Sequence, residues 1–417
     1  MTKIKHIKMS QGFSLVELMI SLALGSIVSA GVVQLFVANS ETQALLVGQS
    51  RMQESARFSL AFIGREVRQA GYRGCYPGGE NLITTLDLDN PLNPGVKIPY
   101  EFDMRVGLRG YNATGDSLWT PALTEIPNTA TDLAMDHVDN TVFKTTYTYG
   151  NGTGIDLSTI VSGTDVVTFR RISQIDARLG GFSVGGTETL FNALNPVMPT
   201  RAEDLVVGIR NGWSEFDLDH IAMIHDCEKA TMFRVTTSNP WGRNADGSPK
   251  AKTGDGNLVI GHDIANADLT RNSIAVLSRV GDLDSDASVS AILTSVFYIA
   301  PGAGTNNDGN QPLSLWKKEG LNRPIELVEG VENLQILYGE DNSNDGVPNQ
   351  YHAANFVADF ANVVTIRVTV VVNSIDNVGS TSDTTLGCAI QDCIDGEDYD
   401  GLLRRAFSQT IMLRNQI

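Results

Sequence analysis

An apolar run from Phe13 to Ala38 dominates the N-terminal part of the chain, and it contains a single charged residue, Glu17. At a rise of about 1.5 Å per residue, a helix over this run would be roughly 39 Å long, and the hydrocarbon layer of a membrane is about 30 Å thick. Residues 1–12 contain three lysines and no acidic residue. Because positive flanks stay in the cytoplasm, we expect a membrane-spanning helix with the rest of the chain exported.

Three interpretations of this run are open. Its basic flank and the "VSA" at Val28–Ala30 are typical of a cleaved signal peptide, and its length also suits a plain membrane anchor. Neither explains Glu17, because a carboxylate within a membrane helix costs roughly 2.5–3.5 kcal/mol on insertion scales and needs a partner. In the third interpretation the chain is cut between Gly12 and Phe13, and the new α-amine of a neighbouring subunit neutralises Glu17.

The stretch "GFSLVELMIS" resembles the class III leader of type IV pilins and of type II secretion pseudopilins. The resemblance implies that a prepilin peptidase cuts after Gly12 and N-methylates Phe13. It also implies that Glu17, the fifth residue after the cut, guides the docking of subunits. We therefore predict a cleaved leader over residues 1–12 and a transmembrane and filament-core helix over residues 13–38.

An amphipathic continuation of this helix is predicted over residues 39–72. No proline occurs between Asn39 and Gly71, and apolar residues recur there at steps of three, four and seven. This is the period of a helix that packs one face on its own domain. The stripe consists of Leu45, Met52, Ala56, Ile63, Val67 and Ala70. Gly71 is the predicted C-cap of the helix.

Residues 73–417 are predicted to form a β-rich globular domain with insertions at about 76–160 and 238–312. The clearest strand is "NVVTIRVTVVVNS", which places alternate apolar residues from Val364 to Val372 on one face. Similar patterns occur in "DVVTFRRIS", "RAFSQTIMLRN" and on both sides of Cys227. The predicted fold class is α+β: a long N-terminal pilin-like α-helix packed on an antiparallel β-sheet-rich periplasmic domain with long loops.

Four cysteines occur in the chain, at Cys75, Cys227, Cys388 and Cys393, and they allow three disulfide pairings. A local Cys388–Cys393 bridge closes a small loop and leaves Cys75 to pair with Cys227. A zinc site is the alternative, but the chain lacks both C-x-x-C spacing and an accompanying histidine pair. We expect disulfides, since an exported domain meets an oxidising compartment.

Several blocks spread over the chain resemble the PilW-type minor pilins of type IV pilus systems. They are "AGYRGC", "HDCEKATMFRVT", "ELVEGVENLQILYGED", the valine strand and "RRAFSQTIMLRN". The resemblance implies a minor pilin in the bacterial inner membrane that helps to initiate pilus assembly, lies near the pilus tip and supports adhesion and twitching motility. The implied partners are the prepilin peptidase, the inner-membrane assembly platform, other minor pilins, the major pilin, a tip adhesin and, before assembly, membrane lipid.

A loop at "DNSNDGVPN" is a candidate calcium site. Asp341, Ser343 and Asp345 occupy positions 1, 3 and 5 of a calcium loop, and Asn349 is placed to act through water. Position 12 is His352 and not the usual bidentate glutamate. The favoured interpretation is a solvated Asx turn, with calcium as the alternative; no other cofactor is expected.

Enzymatic and nucleic-acid-binding functions are not expected. The chain lacks the serine-hydrolase, zinc-protease and phosphate-loop motifs, and its net charge of −17 repels phosphate backbones. Two alternative functions stay open: a type II secretion pseudopilin, which shares the leader, and a pilus-displayed module whose loops bind a surface or ligand.

Overall fold

The computed structural model describes a large part of the chain. The described residues are 14–76, 82–84, 104, 106–115, 118–121, 123, 155, 157–173, 178–184, 187–190, 204–209, 221–227, 230–235, 237–240, 256–261, 287–319, 323–378, 385–386 and 401–415. Gly12, Phe13, Cys388 and Cys393 lie outside these residues.

A single helix of 55 residues, α1 (Leu15–Gln69), runs from the apolar segment into the globular domain. The same helix continues past residue 38 through the amphipathic part. The helix ends three residues before the predicted limit, with Ala70 as the C-cap. Gly71 follows with φ of +74°, a left-handed conformation that favours glycine after a helix.

The described residues contain nineteen strands. They are β1 (Leu82–Thr84), β2 (Leu108–Gly115), β3 (Leu118–Thr120), β4 (Val166–Ile172), β5 (Arg178–Val184), β6 (Thr187–Leu190), β7 (Asp204–Ile209), β8 (Ile221–His225), β9 (Ala230–Arg234), β10 (Thr237–Pro240), β11 (Gly256–Gly261), β12 (Ser288–Pro301), β13 (Leu313–Glu319), β14 (Ile325–Glu329), β15 (Val331–Glu340), β16 (Gln350–His352), β17 (Val363–Asn373), β18 (Thr385–Leu386) and β19 (Arg404–Met412).

The first sheet contains fourteen of these strands and is centred on β12. The first half of β12 pairs with β8, and its second half pairs with β4 on one side and β13 on the other. These pairs are antiparallel, whereas β1 runs parallel to β9. The predicted strands on both sides of Cys227 are confirmed as β8 and β9.

The second sheet has five strands in the order β16-β15-β17-β19-β18. The predicted valine strand is confirmed as β17, and its residues Ile366, Val368, Val370 and Val372 belong to the main core. The opposite face is also largely buried, with Arg367 as its exposed member. The central strand β17 pairs with β15 on one edge and with β19 on the other.

The main core lies between α1 and the facing sides of both sheets. Helix residues such as Met52, Ile63 and Val67 pack with Phe169 of β4 and Val368 of β17. Each of these five side chains is at most 2% exposed. This confirms the predicted class, one long helix packed on a largely antiparallel β domain.

The predicted insertion at about 238–312 includes all of β12, the central strand of the first sheet. Residues 288–301 therefore belong to the framework of the domain. This strand is buried along nearly its whole length, so its sequence lacks the alternation of a half-buried strand. The range 76–160 likewise includes β2, which pairs with β4.

Candidate functional site

The N-terminal part of α1 projects from the globular domain. Every residue from Ser14 to Val47 is exposed, apart from the half-buried Gly31, and the first buried residue is Gly48. Among the described residues, α1 is the one helix long and apolar enough to cross a membrane. Its exposed apolar surface is therefore available to lipid or to other helices.

Glu17 lies in the first turn of α1. Its Oε2 accepts a long hydrogen bond of 3.4 Å from the backbone N–H of Ser14, which is the N-cap residue. A carboxylate at this position interacts favourably with the free N–H groups and positive end of a helix. The Glu17 side chain is exposed.

Hydroxyl groups in the projecting part bond to the backbone of their own helix. Ser21 donates to the Glu17 carbonyl at 2.7 Å, and Ser26 donates to the Ala23 carbonyl at 2.8 Å. Since lipid offers no hydrogen-bond partners, these bonds lower the cost of carrying serine in an apolar helix.

Contact between α1 and the globular domain begins at Gly48. A Cβ atom added there would lie 3.1 Å from Ser374 Cβ and 3.2 Å from a methyl group of Val378, so this close approach suits glycine. Leu45, which was predicted to lie on the packed stripe, is 39% exposed. The sequence period at Leu45 is helical, but no part of the domain that the structure describes covers this side chain.

A group of charged side chains, of which Glu66 is buried and the others are half-buried, joins α1 to the first sheet. We call Glu66, Arg171, Lys317, Glu319 and Ser295 the junction cluster. Lys317 Nζ lies 2.9 Å from Glu66 and 2.5 Å from Glu319, and Arg171 approaches both carboxylates at 3.4 Å. Ser295 Oγ donates to Glu319 at 3.1 Å.

The junction cluster is electrically balanced, with two carboxylates and two cations. Glu66 is only 5% exposed. Desolvation of Glu319 favours its neutral form and raises its pKa. The hydrogen bond from Lys317 and the positive charges of Lys317 and Arg171 outweigh this effect, so the pKa of Glu319 lies below its usual value. The geometry supports a structural attachment, because the cations and carboxylates satisfy one another.

The exit of α1 is fixed by contacts from distant parts of the chain. The side-chain amide of Asn415 donates to the carbonyls of Arg68 and Ala70 at 3.2 and 3.4 Å. Gly71 N–H donates to the Arg170 carbonyl of β4 at 2.8 Å. Cys75 and Cys227 form a disulfide with a Cα–Cα distance of 4.7 Å.

The candidate calcium loop is organised by its own hydrogen bonds. Asp341 accepts from the N–H groups of Ser343 and Gly346 at 3.0 and 2.7 Å, and Asp345 accepts from Val347 N–H. Asn349 Oδ1 accepts from Asn342 N–H. Within the described residues, no group of three or more His, Cys, Asp or Glu side chains is placed to hold a metal ion. This geometry is that of an Asx turn.

Glu66 and Asp165 are among the buried acids that were not identified from the sequence. Glu66 follows Ile63 by three residues and therefore lies on the apolar stripe, a position that signals a buried, paired acid. Asp165 precedes β4, and its carboxylate accepts from Ala113 N–H at 3.0 Å and from Ile336 N–H at 2.8 Å. It thus connects β2 of the first sheet to β15 of the second, and local sequence carries no sign of this.

Comparisons with known families agree with this geometry. Residues 7–33 match the prokaryotic N-terminal methylation motif, a range that contains Gly12, Phe13 and Glu17. Residues 296–415 match type IV pilus-assembly protein W, from the second half of β12 through β19 to Asn415. No curated protein and no solved structure matches the chain.

The two matches lie at the two ends of the structural unit described above. The first covers the projecting start of α1, and the second contains the whole second sheet, on which the other half of α1 packs. Both families are structural or assembly components of pili and not enzymes. The resemblance to PilW is thereby confirmed, and the chain is a pilin-like protein related to the type IV pilus.

Proposed function

We propose that this protein is a minor pilin that helps to initiate assembly of the type IV pilus and lies near its tip. In this proposal prepilin peptidase removes residues 1–12 and methylates the amine of Phe13. The protein then waits in the inner membrane with its β domain in the periplasm. Its activity is docking, through Glu17 and the exposed surface of α1, with other minor pilins and the major pilin.

The observation that carries the proposal is the division of α1 into two parts. Residues from Leu15 to Val47 are exposed apart from the half-buried Gly31, whereas Met52, Ile63 and Val67 of the same helix are in the core. A rigid helix held at one end presents its other end to partners at a fixed angle. The methylation motif on this exposed end distinguishes a pilin-like subunit from a plain anchored protein.

Two alternatives use the same helix. A type II secretion pseudopilin also has such a leader, but the PilW match over residues 296–415 favours the pilus system. A display module would use its loops to bind a surface or ligand. The first proposal is favoured because residues 296–415 match a pilus-assembly family.

The test replaces Glu17 by alanine in the full-length protein, in cells that assemble pili. We expect normal folding and cleavage, so that purified protein begins at N-methylated Phe13. Pilus number should fall at least about tenfold. The reason is that the partner's amine would be left without a carboxylate, which costs more than about 1.4 kcal/mol in an apolar setting. Electron microscopy of pili and N-terminal sequencing give the two measurements.

Glu41→Ala is the matched control, because Glu41 is an exposed acid on the same helix outside the apolar run. This variant should retain pili within about twofold of the wild type. Normal piliation in Glu17→Ala, or a mature N-terminus other than Phe13, would contradict the proposal.

A further inference from the structure

The half of α1 that packs on the domain has a second face, which points away from the sheets. Its buried residues, such as Met52, Ile63 and Val67, lie on one side of the helix. At about 100° per residue, the exposed residues from Glu54 to Arg68 fall on the opposite side. We call this face the outer stripe. It consists of Glu54, Arg57, Phe58, Ala61, Phe62, Arg65 and Arg68.

The outer stripe has the spacing of a surface on which two helices pair. Glu54, Phe58, Ala61, Arg65 and Arg68 follow one another at alternating steps of four and three residues. This repeat keeps one side of a helix in contact with a neighbouring helix along its length. The same steps lead back along exposed residues of α1 through Arg51, Val47 and Ala44. The stripe is therefore continuous with the projecting part of α1, whose beginning matches the methylation motif.

Two aromatic rings give the outer stripe an apolar centre. Phe58 and Phe62 are 42% and 41% exposed, and the small Ala61 lies beside them. The guanidinium of Arg57 packs over the Phe58 ring at 5.9 Å from its centroid. Exposed aromatic rings accompanied by arginine are typical of surfaces that bind another protein.

The charge of the outer stripe is opposite to that of the chain as a whole. Three arginines, Arg57, Arg65 and Arg68, face the single acid Glu54, within a chain whose net charge is −17. Arg68 donates to the Gly64 carbonyl at 3.0 Å, which leaves its charge in place. No ion pair joins these three arginines to a described carboxylate. A partner surface that carries carboxylates would complement the stripe.

The height of the outer stripe on α1 argues against lipid as its partner. The apolar run ends at Ala38, and Arg57 follows it by 19 residues. At about 1.5 Å per residue, Arg57 lies roughly 28 Å beyond the run, whereas lipid headgroups extend only about 5–8 Å past the hydrocarbon layer. The partner of the stripe is therefore a protein.

A second copy of this chain is a poor partner for the outer stripe. Two copies anchored in one membrane have parallel helices that begin at the same depth, so each arginine lies at the height of its counterpart. Each copy would bring three arginines and one glutamate to the contact. Like charges at a contact are unfavourable, so the stripe suits a different subunit.

We propose that the outer stripe binds the acidic face of a parallel α-helix in a different pilin-like subunit, while both proteins are still anchored in the membrane. The inference rests on the proposed function, and it names the surface that selects one partner among the subunits. The two phenylalanine rings pack on the partner helix, and the arginines pair with its carboxylates.

The membrane sets the height of the partner's carboxylates. Arg57 and Arg65 are eight residues apart, which is about 12 Å along a helix. A partner helix that starts at the same depth therefore needs acids about 45 and 53 residues after its own cleavage site. Apolar or small residues between these acids would contact Phe58 and Phe62.

The test uses the full-length protein in cells that assemble pili, with photoreactive benzoylphenylalanine at Ala61. We expect a cross-link to the N-terminal helix of another pilin-like subunit, in a peptide that contains the acids described above. Mass spectrometry identifies the peptide. Phe356, which is 70% exposed and lies on the domain away from α1, is the control position and should not label that peptide.

Charge reversal tests the mode of binding. Arg65→Glu should lower the yield of the cross-link at least about tenfold, because an attractive contact becomes a repulsive one. Changing one carboxylate of the cross-linked peptide to lysine should restore the yield in Arg65→Glu to within about threefold of the wild type. Thermal unfolding shows whether each variant is folded.

Arg367→Glu is the matched control, because Arg367 is an exposed arginine of β17 and the charge change is the same. This variant should retain the yield of the cross-link from Ala61 within about twofold.

Several results would overturn the inference: no cross-link, cross-links only within this chain, or cross-links to a second copy or to a protein that is not pilin-like. An unchanged yield in folded Arg65→Glu, or no restoration by the lysine variant of the partner, would also do so. The proposed function is tested separately, by the piliation of Glu17→Ala. Reduced piliation in that variant without any cross-link from Ala61 would support the function and remove the helix pair. Normal piliation there with the cross-link present would do the reverse.

Discussion

Asp165 illustrates how one buried acid makes the stability of this protein depend on pH. Its side chain is buried where the two sheets meet, and desolvation raises its pKa to about 7, against the lowering effect of the N–H groups of Ala113 and Ile336. An unfolded aspartate has a pKa of about 3.9. The folded state therefore binds this proton more tightly than the unfolded state.

The sign of the pH dependence follows from that difference. As pH rises from about 4 to about 7, the unfolded state loses its proton first, so the free energy of unfolding decreases. We expect full-length protein in detergent to be less stable at pH 8 than at pH 5, by a few kcal/mol. Urea unfolding at both values measures the difference.

The high net negative charge of the chain also lowers the free energy of unfolding as pH rises, so a matched variant is needed to isolate the effect of Asp165. Asp165→Asn removes the titrating group and should remove most of the dependence, although it lowers stability overall. Asp359→Asn, at an exposed N-cap, should leave the slope unchanged. Equal slopes in wild type and Asp165→Asn would show that Asp165 does not titrate in this range.

At the scale of elements, the decisive contact is that between α1 and the sheets. The apolar stripe from Met52 to Ala70 supplies the burial, and the junction cluster adds charged pairs at the helix end nearest the first sheet. Removing one member of a buried ion pair leaves the other uncompensated, whereas replacing both by apolar groups of similar size is far less costly.

The junction cluster gives a prediction about this attachment. Glu66→Met should lower the free energy of unfolding by about 3–5 kcal/mol. In this variant Lys317 and Arg171 share a single carboxylate, that of Glu319, so one positive charge is left unbalanced. The double variant Glu66→Met with Lys317→Met should be more stable than the single variant, since Arg171 and Glu319 stay paired. Urea unfolding of the full-length proteins in detergent measures both changes.

Arg51→Ala is the control on the same helix. Arg51 pairs with Asp376 at 3.1 Å, but its side chain is 52% exposed. Its loss should cost less than about 1 kcal/mol.

A double variant less stable than Glu66→Met would mean that the cluster supplies net stability beyond charge balance.

At the scale of the whole molecule, the Cys75–Cys227 bridge closes a loop over a sequence separation of 152 residues. It connects the segment after α1 to the segment between β8 and β9. In the chain-entropy description, a loop of this length is worth about 5 kcal/mol of stability. Replacing both cysteines by alanine should therefore lower the melting temperature markedly.

The predicted Cys388–Cys393 bridge provides the comparison, because it closes a loop of only a few residues. Its double alanine variant should lose about 2 kcal/mol by the same description. Scanning calorimetry of the two double alanine variants and the wild type shows which variant loses more stability. A larger loss for the short loop would contradict the entropic origin of the stabilisation.

Much of the fold is predictable because its signals are local. The period of the apolar stripe places α1, and alternation in the valine strand places β17. Strands buried on both faces, such as β12, lack alternation and were assigned to an insertion. Register and neighbour order depend on contacts between distant segments, which no short stretch of sequence encodes.

The sequence by itself determined the chemistry of the projecting helix: the apolar run, the one acid at Glu17 and the match to the methylation motif depend on residues that are adjacent in the chain. Only the tertiary structure decided where α1 leaves the domain and which charges meet at Glu66. These features arise because packing brings together groups separated by hundreds of residues, and their energies exist only in that arrangement.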